Sequence, residues 1–172
     1  MTPAVSCRVV DIYLLRHGIA EEGPPAKDAE RALTGEGRRK LRAVLETAFN
    51  NAAVSPALII TSPYRRAVQT AELAAEVFEY QGDMLRTKAL LPAASPQGVW
   101  EEIRLHKDVE SILLAGHDPL ISSLTGYLLG CPALQVDFKK ATLLRIYIDR
   151  FGPEPRGELK WMLTVKLCRE GR

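Results

Sequence analysis

The sequence predicts an α/β protein, a three-layer α/β/α sandwich with a mostly parallel central sheet. Two observations predict this fold class. Short runs dense in Val, Ile and Leu are typical of strands that are buried on both faces of a parallel sheet. Stretches with apolar residues at helical spacing lie between those runs. With 172 residues, of which 47% are hydrophobic, the chain can bury one full core, so we expect a single domain over residues 1–172.

Five runs are predicted to form strands. The first three are short and almost wholly apolar, and the last two give the chain a β-rich end. In chain order the predicted strands are Val9–Leu15, Leu58–Thr61, Ser111–Ala115, Ala141–Ile148 and Leu159–Leu167.

Four helices are predicted between these strands. The first has Thr34 as its N-cap and an apolar stripe at i, i+3, i+4, i+7 and i+8. That stripe consists of Leu41, Val44, Leu45, Ala48 and Phe49. The stripe of the second helix consists of Ala67, Ala71, Ala74, Ala75 and Phe78. The other two helices are predicted at Pro96–Leu105 and Pro119–Leu129, and the polar segment Glu21–Ala32 is predicted to be a surface loop.

Composition and charge argue against several classes of protein. The formal net charge is +2, and the Lys and Arg residues are scattered among almost as many acids, so no basic stripe suggests a nucleic-acid partner. Cys7, Cys131 and Cys168 lie outside any C-x-x-C pattern, which predicts reduced thiols. The first residues lack the charged region of a signal peptide, and no apolar run reaches membrane-spanning length. We therefore expect a cytoplasmic protein that does not bind membranes.

Three of the predicted strands end in polar clusters. These clusters are RHG at 16–18, TSPYRR at 61–66 and GHDP at 116–119. In open α/β sheets the carboxyl ends of parallel strands gather at one edge, where ligands bind. We therefore expect the three clusters to converge in one positively charged pocket.

Two of the clusters also carry helix-start signals. Ser62 precedes Pro63 and Asp118 precedes Pro119, so each is a candidate N-cap ahead of a proline at the first helical position. Helix N-termini favour anions, and the histidines and arginines of the clusters add hydrogen-bond donors. The combination predicts a phosphate site.

Each cluster taken alone also has a purely structural interpretation. A lone histidine is more often a hydrogen-bonded structural residue than a nucleophile. Arg66 in the first turn of a helix is ordinarily a solvated charge, and Asp118 fits a simple turn or cap. The coincidence of all three clusters at strand ends favours the functional interpretation. His106 has no such setting and is interpreted as a surface residue.

The chain resembles the histidine phosphatase superfamily, which has the phosphoglycerate mutase-like fold. The resemblance rests on four motifs that follow one another in the order of the family. They are LLRHGIAEE at 14–22, RALTGEG at 31–37, SPYRRAVQTAE at 62–72 and LLAGHDP at 113–119. The short chain, the RHG-x-A opening and the L-T-x-x-G element are most similar to the small bacterial phosphohistidine phosphatases of the SixA type.

The resemblance implies a role for each matching residue. His17 would be the nucleophile that forms a phosphohistidine intermediate. Arg16, Arg66 and His117 would bind the phosphoryl group together with Gly18, whose carbonyl would orient the His17 ring. The substrate would be a phosphorylated protein such as the histidine phosphotransfer domain of a phosphorelay, with inorganic phosphate as product, and we expect the enzyme to be a monomer.

Elementary chemistry supports these roles independently. The unperturbed pKa of imidazole is about 6.5 and nearby cations lower it, so His17 beside Arg16 and Arg66 should be largely neutral at pH 7 and able to attack phosphorus. Two arginines and His117 supply donors to the equatorial phosphoryl oxygens. We therefore expect neither a metal ion nor another cofactor.

The chain departs from the wider superfamily in its proton donor. Many relatives carry a glutamate after the third strand, where this chain reads LLPAASPQGVW at 90–100, without an acid. Asp118 resembles the donor of the acid phosphatase branch and is a substitute candidate, while a capping role fits it equally well. Glu21, Glu22 and Gly23 occupy the stretch in which mutases carry an asparagine, which argues against a mutase.

Two rival functions share these residues. A general small-molecule phosphomonoesterase would differ at the substrate opening, which we expect the loop Glu21–Ala32 and the segment Leu91–Trp100 to form. A catalytically silent phosphate-binding or signalling module is the non-enzyme alternative, and an intact His17 argues against it.

Overall fold

One six-stranded sheet forms the centre of the molecule, in a computed structural model that describes residues 9–149 and 151–168. Its strands are β1 (Val10–Arg16), β2 (Leu58–Thr61), β3 (Leu85–Arg86), β4 (Ser111–Gly116), β5 (Leu143–Ile148) and β6 (Gly157–Leu163). Their order across the sheet is β3-β2-β4-β1-β5-β6. The first four strands in that order are parallel to one another, β5 is antiparallel to β1, and β6 is antiparallel to β5. The predicted mostly parallel sheet is confirmed.

Helices cover both faces of this sheet. They are α1 (Gly35–Ala52), α2 (Arg65–Val77), α3 (Pro96–Leu105) and α4 (Leu120–Leu128). Successive residues of a strand point to opposite faces, so Ile12 and Leu14 of β1 enter the core cluster of α3 and α4. Tyr13 and Leu15 enter the cluster of α1 and α2 on the other face. The predicted three-layer arrangement is confirmed.

The start of α1 is tied to the loop that follows β1. Thr34 is the N-cap, as predicted, because its side-chain oxygen accepts a hydrogen bond from the Gly37 N–H at 2.9 Å. A Cβ atom at Gly37 would lie 2.1 Å from the carbonyl oxygen of Ile19. Only glycine permits this close approach, which fixes the chain just beyond the RHG cluster against α1.

Several element boundaries differ from the predictions. The last predicted strand, Leu159–Leu167, is wrong in its second half, because β6 ends at Leu163 and a 3-10 turn occupies Val165–Leu167. The two-residue strand β3 is too short to give a period-2 signal. The predicted loop Glu21–Ala32 contains a 3-10 segment, Pro25–Glu30.

The prediction that Ser62 caps a helix beginning at Pro63 is wrong. The turn after β2 continues for two more residues, and α2 begins at Arg65. The Ser62 hydroxyl instead accepts a hydrogen bond from the Tyr64 N–H at 3.3 Å and bonds the His117 ring. This serine therefore joins two of the polar clusters.

The prediction that Asp118 caps a helix beginning at Pro119 is also wrong. The helix begins at Leu120, and no side chain caps it. The Asp118 carboxylate accepts a hydrogen bond from the Ser122 hydroxyl instead of a backbone N–H. Asp118 is thus bound to the first turn of α4 through a side chain.

The cysteine and membrane predictions can be compared with the described part of the chain. Cys131 is exposed and Cys168 is buried, and both are free thiols, while Cys7 lies outside the described residues. Within residues 9–149 and 151–168, no helix is long and apolar enough to cross a membrane.

Candidate active site

The register of the sheet brings the three polar clusters together. β4 lies between β1 and β2, and the ladder continues one residue past each of the outer strands. The backbone N–H of His17 donates to the Gly116 carbonyl, and that of Ser62 donates to the Ala115 carbonyl, both at 3.0 Å. The three strands therefore end at the same level, and the residues that follow them face one space.

His17 lies in this space with only 6% of its surface exposed. Its Nδ1–H donates to the Gly18 carbonyl oxygen at 2.7 Å, since a carbonyl can only accept. The unprotonated Nε2 on the other side of the ring accepts a hydrogen bond from Arg66 Nε at 3.2 Å. The lone pair available for attack is therefore on Nε2.

The surroundings of His17 keep its ring neutral. Burial lowers the pKa of His17 to about 4, and the positive charges of Arg66, Arg16 and Lys140 act in the same direction, against the hydrogen bond to the Gly18 carbonyl. This agrees with the expected neutral imidazole at pH 7, although burial has a larger effect than the neighbouring cations.

His117 faces His17, with 5.1 Å between the two ring centroids. Its Nε2 lies 2.7 Å from the Ser62 hydroxyl oxygen, and the Tyr64 ring packs edge-on against it. Burial, followed by the effects of His17 and Arg66, lowers the pKa of His117 to about 3. Its buried Nδ1 has no hydrogen-bond partner among the described residues. This nitrogen is free to bind a ligand.

Arg66 is 4% exposed, and other groups bind both edges of its guanidinium. Its Nη1 donates to the Asp28 carbonyl oxygen at 2.6 Å, and its Nη2 donates to the Asp28 carboxylate at 3.0 Å. Asp28 thus takes the terminal pair of N–H groups. The other edge of the planar group, which begins at Nε, is directed at His17.

Asp28 is a site residue that sequence reasoning missed. It belongs to the 3-10 segment Pro25–Glu30 and also accepts a hydrogen bond from Arg31 Nε at 2.8 Å. Burial raises the pKa of Asp28, but the hydrogen bonds from Arg31 and Arg66 outweigh it and hold the pKa below its usual range. The spacing Asp-x-x-Arg suggests only the local pair, because the other partner is 38 residues away.

Arg16 has one bound and one unbound nitrogen in the site. Its Nη1 donates to the Phe138 carbonyl oxygen at 2.5 Å and lies 3.9 Å from the Asp118 carboxylate. Its buried Nε has no hydrogen-bond partner within the described ranges. A buried donor without a partner costs on the order of 1–3 kcal/mol, so the Nε of Arg16, like the Nδ1 of His117, points to a bound acceptor.

Thr70 connects two of the predicted site residues, Gly18 and Arg66. The Gly18 N–H donates to the Thr70 hydroxyl at 3.2 Å, and that hydroxyl donates to the Arg66 carbonyl at 2.8 Å.

His106 is not part of this cluster. It is the C-cap residue that follows α3, and its Nε2 lies 3.8 Å from Glu102. The structure thus separates His106 from the other two histidines.

Part of this chain matches a known protein family, and its fold matches solved structures. A family model for the histidine phosphatase superfamily (branch 1) matches residues 12–89. No curated protein has a sequence that matches this chain significantly. The solved structure of the protein histidine phosphatase SixA complexed with tungstate has a TM-score of 0.80 and 23% identity, covering 91% of this chain and 97% of its own.

Two further solved structures show the range of the similar proteins. A putative phosphohistidine phosphatase SixA from Agrobacterium tumefaciens has a TM-score of 0.75 and 23% identity, covering 90% of this chain and 97% of its own. A putative alpha-ribazole-5'-P phosphatase from Escherichia coli has a TM-score of 0.67 and 20% identity, covering 91% and 97%. At these identities the likeness concerns the fold.

Proposed function

We propose that this chain, in which residues 12–89 match the family model of the histidine phosphatase superfamily, is a phosphatase that hydrolyses phosphohistidine on a protein through a phosphohistidine intermediate on His17. One observation carries the proposal. His17 is buried and neutral, its Nδ1–H is bound to the Gly18 carbonyl, and its Nε2 faces an arginine N–H. This is the arrangement that a nucleophilic imidazole requires.

The reaction proceeds in two displacements at phosphorus. The Nε2 lone pair of His17 forms a bond to phosphorus while the bond from phosphorus to the substrate nitrogen breaks, and that nitrogen keeps the electron pair. Water then attacks the phosphoryl group and the bond from phosphorus to Nε2 breaks, which restores neutral His17. Inorganic phosphate carries away the oxygen of the water.

The cationic side chains stabilise the transferring group. The edge of Arg66 that faces His17 exchanges its contact with Nε2 for a phosphoryl oxygen as the phosphorus arrives. The buried Nε of Arg16 and Nδ1 of His117 bind the other oxygens. Donors fixed in advance lose little energy to reorganisation when charge develops on those oxygens.

The leaving group favours a phosphohistidine substrate. An alkoxide is the conjugate base of an acid with a pKa near that of water, about 15.7, whereas neutral imidazole is the base of an acid with a pKa of about 6.5. Imidazole leaves without a general acid when its other nitrogen carries the proton. Because the segment 90–100 carries no acid, the absence of the usual glutamate there suits such a leaving group.

Hydrolysis of small phosphate esters is the second candidate function. Asp118 favours it, because its side chain lies beside the phosphoryl site, 3.9 Å from Arg16, and its carboxyl group in the protonated form would donate a proton to an alkoxide. The similar proteins also include the alpha-ribazole-5'-P phosphatase and a mycobacterial glucosyl-3-phosphoglycerate phosphatase.

A series of leaving groups separates the two candidates. We expect kcat/KM to fall from a phosphohistidine phosphotransfer domain to aryl phosphates and further to sugar phosphates or phosphoserine. Asp118→Asn should change the whole series modestly, because Asp118 also contacts Arg16 and Ser122. A flat series, or a preference for alkyl phosphates that Asp118→Asn abolishes, would reject phosphohistidine in favour of a general phosphatase.

A further inference from the structure

A second cavity adjoins the phosphoryl site on the side of Arg16. Its volume is about 450 Å³. Its walls combine apolar and cationic residues, namely Ile19, Ala141, Val165, Arg16, Lys139 and Lys140. The phosphoryl chemistry uses only Arg16 of this set, so the remainder of the cavity has no role in the proposed reaction.

Backbone hydrogen bonds fix one wall of this cavity to the nucleophile. The Ala141 N–H donates to the carbonyl oxygens of both Arg16 and His17 at 3.2 Å, and the Arg16 N–H donates to the Thr142 carbonyl at 3.1 Å. The Phe138 carbonyl accepts from the Arg16 side chain. The two lysines between Phe138 and Ala141 therefore have fixed backbone positions beside the site.

The backbone at Ala141 is also strained. Its φ is +61°, in the left-handed region, which is unfavourable for a residue with a Cβ atom. Such conformations cluster at functional sites. The positive charge of Lys140 also acts on the nucleophile, since it contributes to the lowered pKa of His17.

The rim of the cavity keeps a positive charge after local ion pairs are counted. Lys139 lies 3.0 Å from Asp137, but both side chains are at least 70% exposed, so solvent screens this pair. Lys40, which also lines the cavity, pairs with Glu36 at 2.5 Å. The cavity wall itself contains no carboxylate among the described residues.

We propose that this cavity binds an acidic side chain of the phosphorylated protein, close to its phosphohistidine. The inference rests on the proposed function. A phosphohistidine ring has to enter a buried site to reach His17, which brings the surface of the partner protein to the rim. The apolar lining residues Ile19, Ala141 and Val165 suit the methylene groups of a glutamate. The ammonium groups of Lys139 and Lys140 suit its carboxylate.

Two phosphohistidine peptides test the proposal. They are identical except that glutamates flank the phosphohistidine in one and glutamines flank it in the other. At low ionic strength we expect kcat/KM of the wild-type enzyme to be about fivefold higher for the glutamate peptide, and we expect high salt to erase the difference because the lysines are at the surface.

Charge variants assign the preference to the cavity. We expect Lys139→Gln with Lys140→Gln to bring the ratio between the two peptides close to one, and Lys139→Glu with Lys140→Glu to reverse it. Because the ratio is taken within each variant, a general change in activity cancels. Lys107→Gln, which removes an exposed lysine before the amino end of β4, is the matched control and should keep the preference.

The outcomes separate this inference from the proposed function. Equal rates for both wild-type peptides would overturn the inference and leave phosphohistidine hydrolysis intact. Turnover of an aryl phosphate without turnover of either peptide would overturn both. A preference for small esters with a second anionic group, lost in the lysine variants without any preference between the peptides, would assign the cavity to a small molecule and also overturn the inference.

Discussion

Replacement of Asp28 tests whether Arg66 has to be positioned for catalysis. Asp28→Ala removes the carboxylate that accepts from Arg66 Nη2 at 3.0 Å and leaves the backbone carbonyl that accepts from Nη1. Arg66 then keeps one of its two contacts with this residue. Its edge toward His17 becomes less firmly oriented, while the arginine itself is still present.

The size of the effect follows from the exposure of the carboxylate. A hydrogen bond to a charged group contributes about 1.5–3 kcal/mol. The Asp28 side chain is 35% exposed, so solvent screening reduces this to about 1 kcal/mol. That energy corresponds to a loss of about fivefold in kcat. Removal of a negative charge also reduces repulsion of the phosphate, so KM should stay the same or fall.

Steady-state kinetics with a chromogenic aryl phosphate measure both constants. Glu30→Ala is the matched control, since it removes another carboxylate from the same 3-10 segment, Pro25–Glu30. Asp28→Asn, which removes the charge but keeps an amide oxygen as an acceptor, should fall between Asp28→Ala and the wild type in kcat. A wild-type kcat for Asp28→Ala, or a raised KM with unchanged kcat, would refute the positioning argument.

Three further predictions concern the nucleophile and its donors. His17→Ala should abolish turnover of the same aryl phosphate. Arg66→Ala should lower the rate on the order of 100- to 1,000-fold. Ordinary activity of the His17 variant would contradict the mechanism. Because burial lowers the pKa of His17 to about 4 while the unfolded ring titrates near 6.5, the unfolded chain binds more protons between these values. The free energy of unfolding should therefore fall as the pH is lowered from about 6.5 to 4, and denaturation of the wild type compared with His17→Phe should show this difference; a flat difference would contradict the neutral buried ring. Chelators should leave ester hydrolysis unchanged, and strict dependence on an added divalent ion would refute the scheme in which side chains alone bind the phosphoryl oxygens.

Local patterns were enough to predict most of the elements. The helix Pro96–Leu105 and the strand Leu58–Thr61 have the predicted bounds, because an apolar period or a short β-branched run is a property of adjacent residues. Local patterns do not predict the order of the strands in the sheet. Nothing within β1 or β2 shows that β4 lies between them, and the prediction of a common pocket depended on the general behaviour of parallel sheets.

The parts of the site that sequence could not predict are contacts between distant residues. Ser62 and Asp118 had the residue type and the following proline of helix caps. The Ser62 hydroxyl instead bonds the His117 ring, 55 residues away, and the Asp118 carboxylate bonds the Ser122 hydroxyl within α4. Asp28 looked like one charge in a polar loop, and only the folded chain brings it against Arg66. Side chains at the ends of elements can bond either the backbone or a neighbour, and local sequence does not decide between them.

The cause of the low pKa of His17 decides how the arginine variants are to be interpreted. If the neighbouring cations kept the ring neutral, loss of Arg66 would raise the pKa toward 6.5 and part of the lost activity would come from protonation of the nucleophile. Burial is the largest cause, so the ring should remain neutral at pH 7 in Arg66→Ala. The rate lost in that variant then reports stabilisation of the phosphoryl group. Nuclear magnetic resonance of the imidazole nitrogens gives the test: a His17 ring that titrates near 6.5 in Arg66→Ala would show that charge, not burial, governs the nucleophile.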